Sequence, residues 1–406
     1  MTSSAPAEPQ GRWRQLAILA TALLLALVPW FSAASVAPLI AAEWRISTLE
    51  AALLTVAVQL GFVVGALVVA FSGAADVIPA RRLIAGGALL AAVANAAFAL
   101  FATDLVTGLP LRALSGAGIA AVYPVAMKVI AGWFRRGRGL AVGILTGAIT
   151  LGTALPHLLQ AGGTVAGLDW RMVVLAATLP CLAAAVIAWQ GVREGPLTTP
   201  AARLSLRMAR TALGERSVQL ANLGYLGHMW ELYALWAWAP AFLTASLAER
   251  GTAPGRGTIG LVVFVALGFC GALGCLLAGW LGDRFGRARA AAGAMLVSGT
   301  CCLLAAVTFG GPAYLLVPLL MVWGAAVIAD SAMFSACLGT VVDQRYVGTA
   351  LTLQTALGFL LTVVTIQLVP VVAEAVGWPV AVAMLGVGPL LGSIAMLRLT
   401  PLLARP

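Results

Sequence analysis

Residues 228–240 read HMWELYALWAWAP, and they place a histidine and a glutamate three positions apart in a long apolar tract. On a helix that spacing puts His228 and Glu231 on one face, a turn apart, with Leu235 and Trp238 continuing the stripe. Imidazole changes charge near neutral pH, and the charge state of a carboxyl depends on burial and on nearby cations, so the pair suits proton exchange. Arg112, His157 and Asp330 lie in similar surroundings, and Tyr123 falls eleven residues beyond Arg112, nearly on its helical face. In lipid, ionisable groups cost about 2.5–3.5 kcal/mol each near the bilayer centre and usually face a protein interior or a watery cavity. The competing structural reading makes His228 and Glu231 a satisfied pair that pins their helix.

The elements carrying these residues follow from composition. Of 406 residues, 62% are hydrophobic and 9% charged. A soluble domain carries roughly 25% charged residues, so lipid is the expected solvent for most of the chain. Apolar runs of about 20 residues without strict alternation predict helices rather than a barrel. About twelve candidate spans emerge: 15–38, 49–72, 82–102, 106–131, 139–165, 171–192, 217–246, 258–281, 290–310, 313–340, 347–373 and 377–399. The first run has a basic start and a small-residue end, but it is long for a leader and further spans follow at once, so it reads as an uncleaved helix behind a short disordered tail at 1–11. From the start of span 7, His228 is about 16 Å along the helix, near the bilayer midplane.

The net charge of +10 belongs to topology rather than to nucleic acid. Arg12, Arg14, Arg81, Arg82, Arg135, Arg136, Arg138, Arg193, Arg203, Arg207, Arg210, Arg216, Arg284, Arg287, Arg289, Arg345, Arg398 and Arg405 all fall on one face of the predicted membrane. The other face has Arg45, Arg171, Arg250 and Arg256. This positive-inside bias predicts cytoplasmic termini in a plasma (bacterial inner) membrane, with attraction to anionic lipid. The six cysteines lie inside spans without metal-ligand spacing and read as buried small residues, with no disulfide assigned.

The longest polar interruption is 193–216. It is either a basic amphipathic surface helix carrying Arg203, Arg207 and Arg210, or a flexible linker. It divides the chain into 1–192 and 217–406, with six spans in each. The loop after the second span of each half reads SGAADVIPARR (72–82) and GWLGDRFGRAR (279–289), and their aspartates, Asp76 and Asp283, stand half a chain apart, as an internal repeat requires. GWLGDRFGRAR is very similar to the loop signature of the major facilitator superfamily, through Gly279, Gly282, Asp283, Arg284, Gly286, Arg287 and Arg289. The first copy keeps Asp76, Arg81 and Arg82 but has Ser72, Val77 and Pro79 where the pattern has Gly, Arg and Gly. RALSGAGIAA (112–121), with Arg112, Gly116 and Gly118, also resembles the family, as do WFRRGRGLAVG (133–143) and Trp170–Arg171. Span 5 carries Pro156 without the Gly-Pro of the family's drug/proton antiporters, which weighs against that subfamily.

The resemblance implies an all-α membrane protein of twelve transmembrane helices in two pseudo-symmetric six-helix bundles. It implies that spans 1, 4, 7 and 10 line a central cavity, which gathers Arg112, Tyr123, Glu231, His228 and Asp330. It also implies that the signature loops latch the halves, an aspartate resting on the positive N-terminus of a neighbouring helix for about 0.3–1 kcal/mol. Asp330, deeper toward the cytoplasm, could instead serve that latch.

Span 5 carries a polar stripe, Thr146, Thr150, Thr153, His157 and Gln160, which reads equally as a cavity wall or as helix-to-helix hydrogen bonding. Gly139, Gly143 and Gly147 permit close packing, as do Gly61 and Gly65, and span 11 has a weaker stripe, Thr352, Thr355 and Thr362. Trp236 is expected at the outer interface, and Trp238 is a weak site candidate. No Walker loop, nucleophile elbow or zinc-protease motif occurs, so an enzyme and direct ATP drive are not expected, and neither is a cofactor. The reading favoured is a monomeric, proton-coupled symporter or facilitator for a small polar or anionic solute. The alternatives are a proton-driven exporter of amphipathic compounds and a non-transporting receptor.

Overall fold

The computed structural model describes residues 8–197, 214–342 and 347–403, and among them all regular structure is helical. The candidate amphipathic segment with Arg203, Arg207 and Arg210 lies outside the described residues, as do Arg345 and Arg405. In chain order the helices are α1 (Arg12–Ala26), α2 (Ser32–Ser35), α3 (Ala37–Trp44), α4 (Thr48–Ser72), α5 (Ala74–Val77), α6 (Ala80–Phe101), α7 (Leu105–Ala120), α8 (Tyr123–Ala131), α9 (Arg138–Val165) and α10 (Trp170–Gly191). The second half has α11 (Arg216–Glu249), α12 (Arg256–Val263), a π-helical turn (Phe264–Cys270), α13 (Gly271–Phe285), α14 (Arg287–Val307), α15 (Ala313–Ala329), α16 (Ser331–Val341), α17 (Val347–Val376), α18 (Trp378–Leu385) and α19 (Val387–Leu403).

Ten helices among the described residues are long and apolar enough to cross a membrane. The first and seventh predicted spans are not among them. The first is broken: α1 ends at Ala26, and 27–31, which includes Pro29, intervenes before α2. The seventh is the continuous helix α11, but Gln219, Asn222, His228 and Glu231 dilute its apolar character.

Caps account for several boundaries. Ser47 and Glu50 form a reciprocal capping box at the start of α4, and Asp104 and Thr107 form one at the start of α7. Between α13 and α14, Gly286 takes φ +91°, a conformation that a side chain disfavours, which explains the second glycine of the signature loop.

In the first half α4 packs on α7, α6 on α7 and α10, and α1 on α9 and α10. Gly61 on α4 lies against the Ala113 backbone, and Gly116 on α7 against that of Val58, so each helix approaches where the other lacks a side chain. In the second half α11 packs on α17 and α19, and α15 on α13 and α14. Contacts between the halves run along α9 with α12, the π turn and α13, and along α4 with α17.

On the face opposite the arginine-rich one, Glu43 accepts hydrogen bonds from Trp170 Nε1 and Arg171 Nη1, both at 2.6 Å. Arg171 also donates to the Ala102 carbonyl at 3.2 Å. Partial burial works against the Glu43 charge, but the Trp170 and Arg171 bonds outweigh it and hold the carboxyl below its ordinary range. The Trp170–Arg171 pair thus ties the end of α3 to the starts of α10 and of the α6–α7 connection.

Candidate functional site

Arg112 is wholly buried on α7. Its Nη2 donates to the carbonyls of Pro29 at 2.9 Å and Trp30 at 2.8 Å, and its Nη1 donates to Asn95 Oδ1 at 3.0 Å and Ser32 Oγ at 3.2 Å. Asn95 Nδ2 in turn donates to Val174 O and Thr178 Oγ1, both at 2.9 Å. The guanidinium therefore satisfies the carbonyls freed where the first span unwinds, and Asn95 fastens that knot to α10. The sequence reading placed Arg112 at a central cavity; here its bonds go to the first half alone. Asn95 went unnoticed because it lacks charge, although an amide amid alanines was the available signal.

His228 and Glu231 share a face of α11, as expected, but each has a separate partner. His228 Nδ1 lies 2.8 Å from Asp330 Oδ1, and Nε2 lies 2.8 Å from Ser331 Oγ. Asp330 sits at the junction of α15 and α16, so this contact clips α11 to a helix break rather than to a signature loop. One oxygen of Glu231, Oε1, accepts from Ser298 Oγ at 2.5 Å, from Cys302 Sγ at 3.2 Å and from the Trp323 indole. All of these groups are buried, and they bind α11 to α14 and α15.

Position 233 lies two residues past Glu231, about 200° around the helix, and so points away from that charged face. Tyr233 stacks on Phe31 with ring centroids 5.9 Å apart, meets Trp30 at 5.9 Å and Phe359 of α17 at 5.1 Å. Trp30 and Phe62 close the cluster, with Phe62 4.8 Å from Phe359. Beside them Thr362 Oγ1 donates to Gln59 Oε1 at 2.8 Å, a fully buried bond between the halves. Gln59 Nε2 and Trp30 Nε1 are buried and have no hydrogen-bond partner among the described residues. Tyr123 is half-buried at the start of α8 and packs against the buried core. A search for ionisable groups passes over this aromatic seam.

Most of the polar stripe on α9 turns inward to its own helix. Thr146, Thr150 and Thr153 donate to the carbonyls of Val142, Thr146 and Ile149. His157 is buried, and its Nε2 lacks a partner among the described residues. Trp236, expected at the outer interface, is instead buried, and Trp238 is also buried, donating to Ile366 O at 2.9 Å. Their length of helix is wrapped by α17 and α18, whose Trp378 ring lies 6.5 Å from that of Trp238 at a tilt of 58°.

The signature loops differ. The Asp283 carboxylate rests over Gly139 in the first turn of α9, where an added methyl would meet Oδ1 at 2.5 Å. Gly143 and Gly147 continue the approach, facing the backbones of Cys275 and Ala272, and Gly279 faces Gly139 in return. In the first copy Asp76 forms an ion pair with Lys128, whose ammonium also donates to Ala75 O at 2.8 Å. Arg284 lies over Trp280 and Phe285, 5.4 Å from each ring. Arg81 and Arg82 open α6, Arg287 opens α14, and Gly282 backs onto Met333 of α16.

A family model described as Major Facilitator Superfamily matches residues 19–251, more than half of the chain. No curated protein matches the chain.

Proposed function

Since the chain belongs to the major facilitator superfamily, we propose that it is a proton-coupled secondary transporter whose halves expose a central site to each side of the membrane in turn. In this reading α1, α2 and the first residues of α3 form the first of twelve spans and α11 the seventh. Residues 1–192 and 217–406 form two six-helix bundles joined by 193–216, and the arginine-rich face is cytoplasmic. The protein works as a monomer.

The observation that carries the reading is the two-faced character of α11. Its His228 and Glu231 face holds α14, α15 and α16 through protonatable groups. Its Tyr233 face meets Trp30 and Phe31 of the other half. Protonating Glu231 removes the charge for which Ser298, Cys302 and Trp323 are oriented, and α11 is then free to shift against the seam. His228, with one nitrogen on Asp330 and the other on Ser331, is placed to pass a proton between them. The Asp283–Gly139 contact and the glycine face of α9 keep the cytoplasmic side closed in this conformation.

The seam favours an amphipathic, aromatic-bearing solute. Its rings, amide and hydroxyl are uncharged, and the orphaned Gln59 and Trp30 donors call for a solute acceptor. That supports the proton-driven exporter of amphipathic compounds over the symporter. A small polar or anionic solute is the second reading, favoured by the buried, unpartnered Arg112 Nε and His157 Nε2.

The test is proton movement in proteoliposomes containing a pH-sensitive dye, challenged with planar aromatic carbonyl compounds, organic cations and small carboxylates. Amphipathic compounds should move protons in the wild type, and Glu231→Gln should bind them without moving protons. Proton movement with carboxylates alone would favour the second reading. Compounds that bind but never cross would leave the receptor.

A further inference from the structure

At the arginine-rich end, the start of α1, the loop after α8 and the end of α10 line an open recess of about 140 Å³, with Arg14 and Arg193 exposed at its rim. Its frame is rigid. Gln15, almost fully buried, donates through Nε2 to Gly191 O at 3.1 Å and accepts from the Arg193 backbone N–H at 3.0 Å. Trp133 Nε1 donates to Arg193 O at 3.0 Å. Arg193 is thus held at both backbone groups, while its guanidinium makes no hydrogen bond or ion pair with any described residue. The same holds for Arg14, which also lines the recess.

Two nearby basic groups are already engaged. Arg12 pairs with Glu8, and Arg138 donates to the carbonyls of Phe134 and Ala131. Glu8 is further occupied by the backbone N–H groups of Arg135 and Arg136, and Glu194 by that of Ala80. Among the described residues no carboxylate forms an ion pair with Arg14 or Arg193. The α10 terminus brings its carbonyl end to the recess, but Gln15 already donates to Gly191 O. Gln10 and Gly11 add the positive end of α1, whose N-cap has no side-chain hydrogen bond. Half-exposed Trp13 and the Trp133 indole flank the recess, amphipathic rings of the kind enriched at headgroup depth.

We propose that this recess binds the phosphate of an anionic phospholipid in the cytoplasmic leaflet, Arg14 and Arg193 clamping it. Its chemistry is that of a phosphodiester, and the chemistry alone would also suit free phosphate. The lipid is favoured because the recess sits where the helices leave the predicted bilayer, beside the two tryptophans. A bound headgroup would brace spans 1 and 6 and the start of the connection between the halves, independently of which solute is carried.

The test titrates the purified protein, in neutral detergent, with phosphatidylglycerol, phosphatidylcholine or inorganic phosphate, following the thermal midpoint and bound lipid by native mass spectrometry. Phosphatidylglycerol should bind and raise the midpoint. Arg14→Gln and Arg193→Gln should each raise its half-saturating concentration about fivefold, and together roughly 25-fold. The control Arg216→Gln/Arg398→Gln, which removes equal charge elsewhere on that face, should bind as the wild type does. The proposal is overturned if phosphatidylcholine matches phosphatidylglycerol, if the control loses as much as the pocket variants, or if the pocket variants bind normally. Inorganic phosphate reproducing the effect would overturn the lipid assignment.

Discussion

Arg112 reaches from α7 to hold the carbonyl oxygens of Pro29 and Trp30, at 2.9 and 2.8 Å, where the first span unwinds. The cation thereby fixes the backbone that presents Trp30 to Tyr233 and Phe359. Arg112→Met would strip the donor from those carbonyls and from Asn95. At about 1–3 kcal/mol for each buried group left unpaired, the loss should exceed roughly 3 kcal/mol. Arg112→Lys should fall between, since an ammonium does not reproduce the fork. Unfolding in mixed micelles measures this, and a wild-type midpoint for Arg112→Met would refute it.

In the proposed orientation, Asp283 over Gly139 reports on cytoplasmic closure through the native Cys275, which is buried beneath the neighbouring Gly143. In a background where the other five cysteines are replaced, Asp283→Asn should raise the rate at which a cytoplasmic maleimide labels Cys275. The contact of a charge with a helix N-terminus is worth about 0.3–1 kcal/mol, so the rate should rise up to about fivefold. Gly139→Val should raise it further by prying α9 from α13. Unchanged labelling in both variants would show that this contact does not hold the closed state.

Glu43 makes stability depend on acid. Its carboxyl is held below its ordinary value in the folded protein, against the effect of partial burial, by Trp170 and Arg171. The stabilisation is therefore complete above the unfolded value, about 4.3, and is lost as pH falls through the lower folded value. Glu43→Gln should remove that part of the acid loss and lower stability at neutral pH by less than about 1 kcal/mol, because the pair is partly exposed. Thermal midpoints of both proteins between pH 3 and 7 test it.

Spans were legible because lipid imposes length and apolarity on each helix independently. The Asp283 contact was legible as well, since the whole loop signature survives and helix-end electrostatics says where an aspartate should sit. The break at 27–31 was not, although Pro29 marks it, because one proline in an apolar run is compatible with a kinked span. Partnerships were hidden wherever the partner is remote: Asp330 is 102 positions from His228, and Ser298 and Trp323 are neutral. The aromatic seam was missed for the same reason, because Trp30, Phe62, Tyr233 and Phe359 look like ordinary membrane residues until the helices bring them together. The α9 threonines misled in the other direction, since a polar stripe that bonds its own helix has the same spacing as one that lines a cavity.

The central claim is that protonation of Glu231 controls the approach of the two halves. The direct measurement is the distance distribution between spin labels at positions 49 and 376, in opposite halves at the ends of α4 and α17, in a background that keeps only the buried Cys302 of the native cysteines. Lowering the pH should shift the wild-type distribution. Glu231→Gln should show the low-pH distribution at every pH and respond no further. A Glu231→Gln protein that keeps the wild-type pH response would contradict the account.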